Sequence, residues 1–202
     1  MLLLILDLLG IAVFAVSGAL LAVRQRFDIV GVLVLAAMTG LGGGWIRDVL
    51  IGVTPPTSLA DWRYLIVPVA CGLLAFWFHP ALERMDRPVI VFDAFGLGLF
   101  GVAGALTASE HGAGPVPAAI LGMVTCIGGG IIRDLLAGRV PVVLTTGELY
   151  AIPALAGSAV AAVGFELGAP TVAVAVPAAA LTIGWRLLAI WRGWRAPSPR
   201  RT

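Results

Sequence analysis

Apolar residues gather in seven long runs along this chain, roughly 2–23, 29–52, 63–80, 88–109, 115–138, 149–167 and 170–192. About 20 apolar residues in helical form cross a hydrocarbon core of about 30 Å, and each run reaches or approaches that length. Short polar or Pro/Gly-rich stretches separate them: Arg24-Gln25-Arg26, Thr54-Pro55-Pro56-Thr57-Ser58, Glu83 to Pro88, Glu110 to Pro117, Pro141 to Glu148 and Gly168-Ala169-Pro170. None of these is long enough to part the chain into soluble domains. The pattern predicts an all-α membrane protein with seven transmembrane helices. Residues 1–192 form a single integral membrane domain, and 193–202 a basic tail.

The runs repeat. Shifted by 86 residues, 7–55 matches 93–141 without a gap, with 20 identities in 49 positions. Asp7, Gly10, Phe14, Gly18 and Thr39 fall on Asp93, Gly96, Phe100, Gly104 and Thr125, and further on Tyr64 falls on Tyr150. Shared hydrophobicity explains Leu on Leu, but not Asp on Asp. The first run therefore has an internal twin that cannot be a signal peptide, and it is read as a membrane helix. Each repeat, about 2–80 and about 88–167, holds three helices. An odd number makes the second copy enter the membrane the opposite way, giving two inverted three-helix repeats plus a seventh helix at about 170–192.

Both copies carry one phrase, Gly42-Gly43-Gly44-Trp45-Ile46-Arg47-Asp48 and Gly128-Gly129-Gly130-Ile131-Ile132-Arg133-Asp134. Three glycines cost a helix interior roughly 3 kcal/mol relative to alanine, about 1 kcal/mol apiece. A broken backbone survives at membrane depth only where protein or a water-filled cavity satisfies it. The triplets are thus expected to break the second and fifth helices beside a conduction or substrate path. The competing reading is close helix packing, which Gly40-x-x-x-Gly44 also fits.

Charges inside a bundle mark ion paths or staple helices together. Neighbouring helical residues do not face each other, so Arg47 is expected to pair with Asp7 or with carboxylates of the other repeat rather than with Asp48. The same holds for Arg133, Asp93 and Asp134. Asp7 and Asp93, near helix starts, also favour the helix dipole. Ser17, Thr39 and Thr125 offer hydroxyls that line the path or bond to their own helix.

Composition agrees with a membrane protein. Of 202 residues, 60% are hydrophobic and 12% charged, half the usual share in soluble domains. All thirteen basic residues are arginine, and the net charge of +2 gives no basic groove for nucleic acid. Cys71 and Cys126 sit in apolar runs and read as buried thiols. His79 falls at a helix end and His111 in a Gly/Pro-rich turn. No phosphate loop, metal-ligand spacing or Ser/His/Asp constellation is present, so neither a cofactor, a metal nor catalysis is expected.

Arginine placement sets orientation. Arg24, Arg26, Arg84, Arg87, Arg139, Arg192, Arg195, Arg200 and Arg201 share one side, against Arg63 on the other. The crowded side is expected to be cytoplasmic, which puts the N-terminus outside and the C-terminus inside. Trp62, Trp191 and Trp194 mark helix ends at the interface.

The duplicated Gly-Gly-Gly-x-x-Arg-Asp, the Asp-x-x-Gly that opens each repeat and the 3+3+1 plan resemble the prokaryotic trimeric intracellular cation (TRIC) channel family. The resemblance covers about 2–192. It implies a homotrimer in a bacterial inner membrane, with one pore per protomer between the repeats. Kinked second and fifth helices would line that pore, and the solute would be a monovalent cation, chiefly potassium. The absence of lysine argues against the lipid regulation of animal relatives. Related bacterial proteins are also described as glycine transporters, so a secondary transporter of a small amino acid is the alternative.

Overall fold

The computed structural model describes residues 1–82, 88–145 and 149–195. The long helices are α1 (Leu2–Arg24), α2 (Ile29–Leu50), α4 (Trp62–Leu82), α5 (Pro88–Glu110), α6 (Pro115–Leu136), α8 (Ala151–Glu166) and α9 (Thr171–Arg192). Two four-residue helices, α3 (Thr57–Ala60) and α7 (Val142–Thr145), follow α2 and α6. Among the described residues, six helices are long and apolar enough to span. The 16 residues of α8 reach only about 24 Å, shorter than its apolar run suggested. Arg84, Arg87, Arg200 and Arg201 lie outside the described residues.

Helix ends follow local chemistry. The Asp28 carboxylate caps α2 by accepting from the Gly31 amide at 2.8 Å, and Pro115 opens α6. Both helices close in the same way. Gly52 and Gly138 take positive φ (78° and 68°), so the amides of Val53 and Arg139 turn back to the Asp48 and Asp134 carbonyls, each at 2.8 Å. That turn leaves Arg47-Asp48 and Arg133-Asp134 in the last turn of their helices.

The glycine triplets do not break α2 or α6. Both are continuous α-helices through Gly42–Gly44 and Gly128–Gly130. A freed peptide group in hydrocarbon costs several kcal/mol, more than the propensity penalty of glycine, so the backbone keeps its bonds. The glycines instead let α2 and α6 cross almost backbone to backbone. A Cβ on Gly129 would stand 2.5 Å from the Thr39 carbonyl, and one on Gly43 would collide with the Thr125 carbonyl.

The same exchange of partners recurs between α1 and α5. Phe14 and Phe100 stack with centroids 5.3 Å apart, and each ring fills the notch left by a glycine of the other helix, Gly96 and Gly10. Contacts of this order, 10 with 100 and 14 with 96, mean that the two helices run antiparallel; 39 with 129 and 43 with 125 mean the same for α2 and α6. α4 packs on α1 and α2, as α8 packs on α5 and α6, and α9 packs on α5 and α8. The outer faces carry exposed Val34, Trp77, Phe78, Val176 and Leu181, the surface a bilayer takes. Outside the spans, Asp61 is held below the usual carboxylate range by hydrogen bonds from Arg63 in the first turn of α4.

Candidate functional site

Two buried charge clusters occupy equivalent positions in the repeat. In the first, Arg47 is 3% exposed and grips Asp7 of α1 through Nη1 (3.0 Å) and Nη2 (3.4 Å). Its Nε donates to Asp48 at 2.8 Å, and the Tyr64 hydroxyl reaches Asp7 at 3.5 Å. The other Asp48 oxygen accepts from the Thr57 amide at 2.8 Å, which ties α3 down; Trp45 Nε1 adds a bond to Ser58 at 2.6 Å.

In the second, Arg133 Nη1 donates to Asp93 of α5 at 2.7 Å and its Nε to Asp134 at 2.9 Å. Tyr150 donates to Asp93 at 3.1 Å, and Asp134 accepts from the Val142 amide of α7 at 3.0 Å. One contact here has no equivalent in the first cluster. Arg133 Nη1 also donates to Ser17 of α1 at 2.7 Å, and the Ser17 hydroxyl donates in turn to the Val89 carbonyl at 3.2 Å.

The expected partners Asp7 and Asp93 are thus in place. The expectation that Arg47 and Asp48, or Arg133 and Asp134, would not pair directly is overturned. Cβ directions do diverge between neighbours, but an arginine is long enough to fold its Nε back to the next carboxylate while its Nη atoms reach forward. The tie across the repeats is the Ser17 hydroxyl rather than a carboxylate. Two carboxylates about one guanidinium leave each cluster with a formal charge of −1. Removing one member of such a buried pair typically costs about 3–5 kcal/mol.

Thr39 and Thr125 donate to their own helices, to the Leu35 and Leu121 carbonyls at 2.6 Å each. Both stand at the α2–α6 crossing with Gly43 and Gly129, whereas Gly44 and Gly130 face the arginines, whose Nη2 atoms lie 3.9 Å from a Cβ built there. Gly42 and Gly128 meet Ile132 and Ile46 of the opposite helix. Along α1, Asp7 and Ser17 are ten residues, or about 15 Å, apart, with the Phe14–Phe100 stack between them. Cys126 is buried and Cys71 half-buried; a ring nitrogen of His79 bonds to the Phe76 carbonyl of its own helix, and one of His111, just past α5, to the Thr107 carbonyl.

The clusters differ in access. Beside Arg47, a cavity of about 10 Å³ lined by Asp7, Asp48, Ser58, Tyr64 and Phe100 holds at most one water. Beside Arg133, a cavity of about 170 Å³ reaches Asp93 and Asp134 and is rimmed by Arg24, Arg139 and Arg186. Arg186 and the two tyrosines were not among the residues expected at the site. The tyrosines were visible as a matched pair at the 86-residue shift, and Arg186 as the one charge in the middle of the last apolar run.

A family model described as "Glycine transporter" matches residues 4–80 and 90–166, once on each repeat. A UPF0126 membrane protein of Streptomyces coelicolor is 50% identical over 201 residues, 99% of this chain and 92% of the relative. Among solved structures, a TRIC cation channel studied for the basis of its conductance is 37% identical with a TM-score of 0.88, over 98% of this chain and 97% of the other. The TRIC trimeric intracellular cation channel orthologue from Rhodobacter sphaeroides is also 37% identical, with a TM-score of 0.89 over 95% and 98%.

Proposed function

From the premise that this chain, which matches the glycine-transporter family model on each repeat, belongs to the TRIC family, we propose that it is a potassium-conducting channel. It works as a homotrimer in a bacterial inner membrane, with one path in each protomer between two inverted three-helix halves. The antiparallel pairing of α1 with α5 and of α2 with α6 supports the inversion. The whole of 1–192 forms one membrane domain, and the arginine-rich end, with Arg24 and Arg139 on one cavity, is cytoplasmic. The N-terminus is then outside.

One observation carries the reading. Two clusters, each of two carboxylates closed by one arginine, lie in series along α1, and the inner one opens to a cavity whose lining also carries Arg24, Arg139 and Arg186. A negative site favours a cation, and an arginine seated in it is a plug that must swing aside. Because the glycine carbonyls stay in their helices, the ligands exposed by that swing are the carboxylates of Asp7, Asp48, Asp93 and Asp134 and the hydroxyl of Ser17. Gly43 and Gly129 hold the wall between them.

A second reading has its own support. A cavity that presents both guanidinium and carboxylate groups also suits a zwitterion such as glycine. Potassium efflux from liposomes, with a protonophore carrying the compensating charge, separates the two readings: a pore empties the vesicle in the absence of glycine, whereas a glycine carrier needs glycine and saturates with it. Native mass spectrometry at three chains per particle tests the trimer.

A further inference from the structure

α9 has no counterpart in the first repeat, and it brings a charge to only one of the two clusters. Arg186 is 1% exposed, and its guanidinium carbon lies 4.9 Å from the centroid of the Tyr150 ring. Its Nη1 donates to the Leu149 carbonyl at 3.3 Å. Beneath it, the Tyr150 hydroxyl donates to the same Asp93 oxygen that receives Arg133. Arg186, Tyr150, Asp93 and Arg133 therefore form one chain of contacts from α9 to α6. At the other cluster Tyr64 fills the same place, 3.5 Å from Asp7, and α9 packs on α5 and α8, away from it.

We propose that Arg186 is a positioning residue for the Arg133 gate: stacked on Tyr150, it aims the phenol at Asp93 and holds Asp93 in the place where Arg133 closes on it. A cation over a ring face is drawn to the ring's negative quadrupole, and burial strengthens that attraction. Fixing the ring plane fixes the direction of the O–H bond. The seventh helix thereby makes two duplicated gates unequal, and the Arg133 gate is the harder one to open.

The inference rests on the reading that Arg133 and Asp93 lie on the conducting path, and the test separates the two. Single-channel recordings in symmetric potassium chloride compare the wild type with Arg186→Met, Tyr150→Phe and the double variant. Arg186→Met and Tyr150→Phe are each expected to raise open probability about fivefold. The double variant should rise no further, because both changes cut the same chain of contacts. Arg186→Lys, which keeps a cation over the ring, should fall between, and it takes the place of Arg186→Met if that variant does not assemble. Pairing Arg186→Met with Tyr64→Phe should instead multiply the two effects. Wild-type open probability in Arg186→Met, or multiplied effects with Tyr150→Phe, would overturn the proposal. Arg133→Gln serves as the separate control: if it changes neither conductance nor open probability, the path reading itself fails.

Discussion

Arg133 of α6 and Ser17 of α1 are joined by a 2.7 Å hydrogen bond that crosses from one repeat to the other. The first cluster has no such bond, because the residue matching Ser17 is Ala103. A hydrogen bond to a charged group contributes about 1.5–3 kcal/mol, so Ser17→Ala should lower thermal stability in detergent by about that amount. It should also raise open probability by loosening Arg133. Thermal unfolding beside single-channel recording checks both, and a silent Ser17→Ala would leave the hydroxyl without a part in the gate.

At the α2–α6 crossing the expected failure is one of packing. Gly43→Leu and Gly129→Leu each force a side chain into an opposing carbonyl, as does Gly43→Ala more mildly. Both leucine variants should lose the trimer as well as flux, whereas Gly44→Ala, with nothing closer than the Arg47 guanidinium at 3.9 Å, should assemble normally. Size-exclusion profiles decide this, and an intact trimer that no longer conducts would restore the triplet to the path.

Much of the fold could be read from the sequence because hydropathy and an ungapped repeat act over whole segments. Spans and the twin helices follow from spacing, and Asp7 stands among the candidate partners of Arg47. What could not be read depended on partners distant in the chain. The cost of a glycine triplet is visible locally, but the facing carbonyls of Thr39 and Thr125 that make close approach possible are not. Arg186 belongs to a helix outside the repeat, so the duplication that singled out Arg47 and Arg133 passed over it. The short helices α3 and α7 look like loop in sequence; the side chains of Asp48 and Asp134, reaching past the ends of α2 and α6, hold their first amides.

Buried ion pairs make a further expectation. Asp93→Asn leaves Arg133 with one carboxylate, and should cost about 3–5 kcal/mol of stability or prevent assembly. Asp61→Asn, in an exposed pair with Arg63, should cost under about 1 kcal/mol. Denaturation of the two variants side by side measures the contrast; equal losses would contradict the burial argument.

Orientation is testable by labelling single cysteines in a background without Cys71 and Cys126. An impermeant thiol reagent should reach His111→Cys from outside intact cells and reach Arg26→Cys only after lysis. The opposite pattern would invert the topology and exchange the two mouths.

The most direct measurement is planar-bilayer recording of the purified protein across a potassium chloride gradient, with Arg47→Ala and Arg133→Ala beside the wild type. The wild type should give discrete steps that reverse near the potassium equilibrium potential, and each arginine variant should change conductance or open probability. Absence of steps together with saturable glycine exchange, or steps that neither variant alters, would contradict a cation path closed by these two arginines.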